Sequence, residues 1–553
     1  MKGNVKMNKA KNADRVKNSI VLSGMVGTLG LFIAKMLGLF YSIPLSSILG
    51  SDAYMSYYGT SFRIYSYILN VFTAGFPFAI ATMVAKYSVR QDARALRKIK
   101  KVELVLLGMT GFLGMLLLLV LSWPLSHIIA SGSDAPIMGR CLRILSLAIF
   151  FVPILSGFRG FYQGRKEMSQ YAVSQVFEQI FRVGFLLTAA YIIVYVLHMD
   201  RRYALYVAVM STSIAAVAGI LQFVYFDQHH FPAIEEAARR QTTKTVRKKK
   251  LFQELIALAI PYLLVAVLGY CDDIFNSVLL PVGLKVHGYT SSQQSIILSA
   301  FNYVGTKMTA IPMILSPGFA AALIPHITAA RTQGNKKLVS RNVVDCLNII
   351  VYLGIPVSFC IFLYARDVFH ILFYTSDEVT AANCLRWLAL EGFLATITPV
   401  ITNILMALGM KHEALKNLGV NLIIKGASMV PLIWMFGYAG AVLSTVPGNL
   451  YIVFASFKAM HQEHEISFRS VGSIFIKSIA CIVLMFAVST VLAKVGITGA
   501  YGRKVIALGK TCINALITLG VYFGVSAALK MPEQVFHRRL SAVVKARLQK
   551  KNA

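Results

Sequence analysis

Charge is scarce in this chain, and acidic charge is scarcer still. Only 14% of its 553 residues are Asp, Glu, Lys or Arg, where soluble domains run to about a quarter. Asp and Glu number 23 against 55 Lys and Arg, for a net charge of +32. No polar stretch is long enough to form a separate soluble domain, so the usual division of length into soluble domains does not apply. The seven cysteines (Cys141, Cys271, Cys346, Cys360, Cys384, Cys481 and Cys512) form no CxxC pair and lie in or beside apolar segments. They read as small buried hydrophobes, which excludes a disulfide framework or a zinc site. P-loop, GxGxxG and GxSxG signatures are missing, which leaves no footing for common nucleotide or hydrolase chemistry. His229, His230, Glu235 and Glu236 could hold a metal by residue type, but they sit in a polar segment that reads as a solvated linker. No small-residue cleavage site follows the basic start from Met1 to Lys17, so the first span is expected to be retained.

Apolar residues fill the space that charge leaves. They make up 57% of the chain, and the mean hydropathy is +0.65. A membrane span needs about 20 apolar residues to cross roughly 30 Å of hydrocarbon. Fourteen stretches qualify: 18–49, 54–88, 102–130, 138–160, 170–197, 203–227, 252–280, 293–329, 342–365, 380–409, 413–435, 438–457, 470–493 and 504–529. The fold expected is therefore all-α and polytopic, with about 14 transmembrane helices. Pro44, Pro153, Pro312, Pro317 and Pro356 are the expected kink sites.

The basic charge follows the spans. An even span count puts both termini on one side, where the loops and tails hold 37 Lys and Arg, Lys100 and Arg159 among them, against eight on the other. The positive-inside rule then places both termini in the cytoplasm. Spread over many short loops, this charge is a topology signal and not a nucleic-acid surface. The run Arg247 to Lys250 and the tail from Arg538 to Lys551 read as ordinary cytoplasmic anchors, with contact to anionic lipid headgroups as the alternative.

Two halves echo one another. Gly75-Phe76 in the second span and Gly318-Phe319 in the eighth lie 243 residues apart, each before a basic loop. The expected organisation is a basic N-terminus (1–17), an N-lobe of six spans (18–228), a linker (229–250), a C-lobe of six spans (251–460), two further spans (461–530) and a basic tail (531–553). Repeats of this kind place substrate near the midplane and point to alternating access.

Ionisable residues inside spans are costly and mark function by default. Lys35 and Lys307 are cations placed deep in spans one and eight, and Arg63 lies nearer the outer end of span two, a set suited to an anionic substrate. Glu178 and Arg182 stand at i and i+4 and read as a structural pair. Asp272, Asp273 and Glu391 are candidates either for pairing with cavity cations or for binding a coupling ion.

Two motifs carry a resemblance. RGFYQG from Arg159 to Gly164, followed by SQVFEQIFRV from Ser174 to Val183, resembles the span 4–5 signature of bacterial polysaccharide exporters. It is more closely similar to MurJ-type flippases of Gram-positive bacteria, including the stage V sporulation protein B group. The resemblance implies two pseudo-symmetric, MATE-like six-helix lobes around a cationic cavity, with the two extra helices forming a groove for a lipid tail. It implies a transporter and not an enzyme, moving lipid II to the outer leaflet of the bacterial cytoplasmic membrane. Lys35 and Lys307 fall where the family's cavity arginines stand, and Arg63 falls at a span 2 cation. No cofactor is implied; a sodium ion or proton and the membrane potential are the possible sources of coupling. The implied partners are a lipid-linked glycan, membrane lipids and the wall-synthesis or division machinery. Two other roles share the architecture: export of a teichoic, capsular or other undecaprenyl-linked glycan, and drug/cation antiport. The positive cavity argues against antiport.

Overall fold

The computed structural model describes residues 33–34, 37–38, 40–130, 134–165, 167–242, 245–313, 327, 330–331 and 333–536. Among them the regular elements are all helical. By internal contacts the chain divides into two units, Met1–Leu49 with Ser61–Ile274, and Gly50–Thr60 with Phe275–Ala553.

The first unit holds α1 (Ser42–Leu49), the larger part of α2 (Asp52–Thr73), α3 (Phe76–Val89), α4 (Ala93–Ile129) and α5 (Ala135–Gly164). It continues with α6 (Met168–Tyr191), a π-helical turn (Ile192–Val196), α7 (Arg201–Arg240), α8 (Lys248–Gly269) and the start of α9 (Cys271–His287). Two glycines of the RGFYQG motif set the approach of α5 to α3. A Cβ on Gly160 would stand 2.7 Å from the Pro77 carbonyl oxygen, and one on Gly164 would stand 2.5 Å from that of Ala81. Small residues one turn apart allow such close backbone packing in membranes.

The segment from 229, read from sequence as a linker, is helical as far as Arg240. Hydropathy ends the span near residue 227 because the helix turns polar, but its Ala, Glu and Arg content still favours helix. Its far end docks on α4: Arg94 Nε donates to the Ala238 carbonyl (2.9 Å), and Gln241 Nε2 donates to Asp92 (2.9 Å), the residue that caps α4.

The second unit holds α10 (Ser291–Ser299), a second π-helical turn (Ala300–Gly305), α11 (Thr306–Met313), α12 (Lys336–Leu363), α13 (Ala365–Leu372) and α14 (Glu378–Ala407). After them come α15 (Lys411–Phe436), α16 (Ala439–His464), α17 (Arg469–Lys494), α18 (Lys504–Ala528) and α19 (Met531–Phe536). Its core is built from α12, α14 and α17, with Val343, Ile350, Ile401, Ile404, Ile474 and Met485 buried together. Hydroxyls and amides fasten the last two long helices. Tyr522 donates to the Tyr352 carbonyl (2.9 Å), and Tyr364 meets Asn514 (2.9 Å) and Thr518 (2.8 Å).

Twelve helical stretches among the described residues are long and apolar enough to cross a membrane. The expected spans 18–49 and 293–329 run largely or partly outside the described residues. The side chains are arranged as a lipid solvent demands. On α4, Val105, Met109, Leu113 and Val120 are 55–72% exposed, while Lys100 and Glu103 on the opposite face are at most 5% exposed. An apolar outside around a polar inside marks an integral membrane protein. Cys512 departs from the burial expected of the cysteines: it is exposed on α18, beside exposed Leu508, Ile513 and Leu516, where lipid replaces water. Pro44, Pro153, Pro312 and Pro356 each lie inside a helix, and Pro317 lies outside the described residues.

Outside the spans, α13 is tied to the segment before α18. His370 Nε2 faces the Gly502 carbonyl (2.9 Å), and Nδ1 faces the Glu378 carboxylate (3.1 Å). Two acceptors require both ring nitrogens to donate, so the site favours the imidazolium. The Gly502 carbonyl, with the Glu378 carboxylate, raises the His370 pKa above its ordinary 6.5.

Two predictions follow from this packing. Gly164→Val costs about 1–3 kcal/mol by overpacking and lowers the thermal midpoint in detergent. Gly184→Val, where nothing lies within 4 Å of the added Cβ, leaves it unchanged. For His370, the raised value means that its stabilisation is complete below 6.5 and is lost as pH rises through the folded-state value. Wild type therefore loses more thermal stability than His370→Gln between about pH 6 and about pH 8; equal losses would show that the contact carries no pH dependence.

Candidate functional site

The two motifs meet in space. α5 carries Arg159 and α6 carries Ser174, Glu178 and Arg182, all in the first unit. Glu178 divides its oxygens between two guanidinium groups: Oε2 accepts from Arg159 Nη2 (2.7 Å) and Oε1 from Arg182 Nη2 (2.8 Å). Arg159 also donates to the Ser174 hydroxyl (3.1 Å from Nη2) and carbonyl (3.2 Å). Arg159 and Glu178 are both buried. Two cations and one carboxylate leave the group with one net positive charge. Sequence reasoning paired Glu178 with Arg182 but counted Arg159 among the loop cations, because it stands at the end of an apolar run. The serine and glutamate of the second motif were the signal that a buried arginine needed acceptors nearby.

Arg63 and Asp273 form a second ion pair in the same unit. Arg63 Nη1 lies 3.2 Å from Asp273 Oδ1, with the two side chains 12% and 26% exposed. The same two helices, α2 and α9, meet again where the Tyr67 hydroxyl lies 3.6 Å from Cys271 Sγ. The pair bridges two facing helices, with both side chains partly buried. Asp272, beside it, is half-buried.

Lys307 belongs to the second unit, where it is the second residue of α11 and half-buried. The π-helical turn Ala300–Gly305 runs directly into that helix. Such turns shift the register of the side chains that follow and recur at functional sites. Within the turn, Asn302 is held by Thr60 Oγ1 (2.9 Å) and the Asn276 carbonyl (3.4 Å), so the turn is anchored on two sides. In the same unit Glu391 is half-buried on α14, and Lys425 is fully buried on α15. Lys35 lies outside the described residues.

The sequence matches the family described as polysaccharide biosynthesis protein over residues 17–331, more than half of its length. The chain belongs to that family. Among its relatives is the lipid II flippase MurJ of Bacillus subtilis (strain 168), 28% identical over 87% of this chain and 89% of that one. Among solved structures, a lipid II flippase MurJ in an inward closed conformation is similar at a TM-score of 0.64, with 14% identity, over 93% of this chain and all of that one. An inward-facing multidrug resistance MATE family transporter of the MOP superfamily is similar at a TM-score of 0.63, with 15% identity, over 82% of this chain and 98% of that one. The all-helical, MATE-like fold expected of the family is the fold of this member.

The shared carboxylate gives a direct test. Removing one partner of a buried ion pair costs about 3–5 kcal/mol. Glu178→Ala removes the carboxylate that Arg159 and Arg182 share and lowers the thermal midpoint in detergent sharply. Adding Arg182→Leu to it restores part of the loss. A midpoint equal to that of wild type in the single variant would show that the shared carboxylate does not hold α5 to α6.

Proposed function

We propose that this protein is a flippase that carries lipid II from the cytoplasmic to the outer leaflet of the bacterial cytoplasmic membrane by alternating access. The observation that carries this reading is its similarity to the Bacillus subtilis lipid II flippase over nearly the whole of both chains. The polar chemistry agrees with it. Lys35, Arg63 and Lys307 supply positive charge within spans, and a pyrophosphate linkage is the part of lipid II that such charge recognises. In this reading six-span lobes over 18–228 and 251–460 enclose the headgroup, while the prenyl chain stays in lipid beside α17 and α18. In this reading both termini are cytoplasmic, which the distribution of Lys and Arg supports.

No nucleotide is needed. Moving an anion outward down an inside-negative potential gains about 2.3 kcal/mol per charge for each 100 mV. Substrate phosphate competes with Asp273 for Arg63, and a sodium ion or proton on Asp272, Asp273 or Glu391 resets the site. Wall-synthesis or division proteins are the partners expected beside it.

The family description favours one second reading, export of another undecaprenyl-linked glycan. Its pyrophosphate and prenyl parts would engage the same cations.

Depletion of the protein in its host, with lipid II at the outer surface as readout, decides between them. In a host without a second flippase, surface lipid II falls on depletion and returns with wild type and with Lys307→Arg. It stays low with Lys35→Ala or Lys307→Ala at equal expression. Unchanged surface lipid II on depletion would move the assignment to another lipid-linked glycan.

A further inference from the structure

A second polar cluster lies in the first unit, near the start of α4, apart from the residues assigned to substrate. Lys100 is 5% exposed and pairs with Asp227 of α7. Its ammonium stands 4.2 Å from the ring centre of Phe231, 5.0 Å from Phe161 and 5.4 Å from both Phe158 and Tyr162. The aromatic cage holds the cation against Asp227. The other oxygen of Asp227 accepts from the Tyr162 hydroxyl. Both oxygens of Asp227 and the charge of Lys100 are thus committed, and the trio is electrically neutral.

Glu103 is three residues beyond Lys100 on the same helix. It is 0% exposed, and neither of its carboxyl oxygens has a hydrogen-bond partner among the described residues. An ionised carboxylate placed there would leave the cluster with one uncompensated buried charge, which the protein interior does not tolerate. A proton removes that charge at no cost in space. With an ammonium already in the cage and two bare oxygens on Glu103, the site has too few oxygen ligands to enclose a metal cation.

We propose that Glu103 is a proton-binding site of the transport cycle, with Lys100, Asp227 and Tyr162 as its fixed electrostatic frame. This rests on the transporter reading above and deepens it by naming the coupling ion. The step is a simple association: a proton from water joins one Glu103 oxygen, and the cluster passes from one net negative charge to none. Glu103 is the eleventh residue of α4, roughly 15 Å from the start of the helix at 1.5 Å per residue. With the basic loop from Arg90 on the cytoplasmic side, the proton exchanges with that side when the packing around α4 loosens. The charged or titratable groups on elements packed against α4 also include Arg165 after α5, His230 on α7, and Lys86, Tyr87 and Glu254. The last three, on α3 and α8, bond to one another.

The test uses the full chain in lipid nanodiscs and proteoliposomes. Infrared difference spectra between acidic and alkaline buffer show the carbonyl stretch of a protonated carboxylic acid in wild type. That band shifts but persists in Glu103→Asp and is missing in Glu103→Gln. The thermal midpoint of wild type falls as pH rises above the ordinary carboxylate range, until Glu103 ionises in the folded chain, and that of Glu103→Gln does not. In proteoliposomes a pH step changes the flipping rate of wild type severalfold and leaves that of Glu103→Gln nearly constant. Equal carboxylic-acid bands in wild type and Glu103→Gln would overturn the proposal, as would loss of the band on adding sodium at fixed pH. Absence of flipping by wild type would overturn the flippase reading instead, and the infrared result would still decide the fate of Glu103.

Discussion

Compensation of buried charge is the constraint on which the rest of this structure depends. Hydrocarbon offers no water to solvate an ion, so each ionised side chain within a span needs a partner, a cage or a proton. The first unit shows the first two, and the third is the one proposed for Glu103. Glu178 holds two guanidinium groups at 2.7 and 2.8 Å. Lys100 sits among four aromatic rings and against Asp227. Glu103 has no hydrogen-bonding partner among the described residues and is neutral only when it carries a proton. These arrangements join α4 to α5 and α7, and α5 to α6, so the helices that close this unit are fixed by the charges they must neutralise.

The second unit relies more on neutral polar contacts. Tyr352, Tyr364, Asn514, Thr518 and Tyr522 connect α12 and α18 through hydroxyl and amide bonds. Such bonds substitute for a hydrophobic driving force that lipid does not supply between helices. They bind the two C-terminal spans to the unit and leave exposed apolar faces on both, including Val483, Leu484, Ile513 and Leu516. In the proposed function those faces lie along the path of the prenyl chain.

Much of the fold was legible in the sequence because lipid selects by composition. Apolar runs of sufficient length marked the twelve spans seen among the described residues, and the two motifs pointed to the family. What hydropathy could not show was depth and partnership. Arg159 and Lys100 both stand at the ends of apolar runs and were read as loop cations, yet each is buried by a partner on another helix. Residues 229–240 are polar, so they fell outside the span, but polarity reports solvent and not backbone, and the helix runs on. The pairing of Arg63 with Asp273 joins residues 210 apart in sequence. Asp273 was a candidate partner for a span cation, and the fold identifies that cation as Arg63.

Reconstitution is the direct test of whether the protein moves a lipid-linked anionic glycan across a bilayer. Liposomes would contain the purified chain, lipid II labelled on its sugar in the inner leaflet, and an imposed membrane potential. A membrane-impermeant quencher outside would report arrival in the outer leaflet. The account predicts rapid quenching that depends on the chain and on the sign of the potential, and none in empty liposomes. Quenching no faster than in empty liposomes, with the protein folded and the potential of either sign, would contradict it.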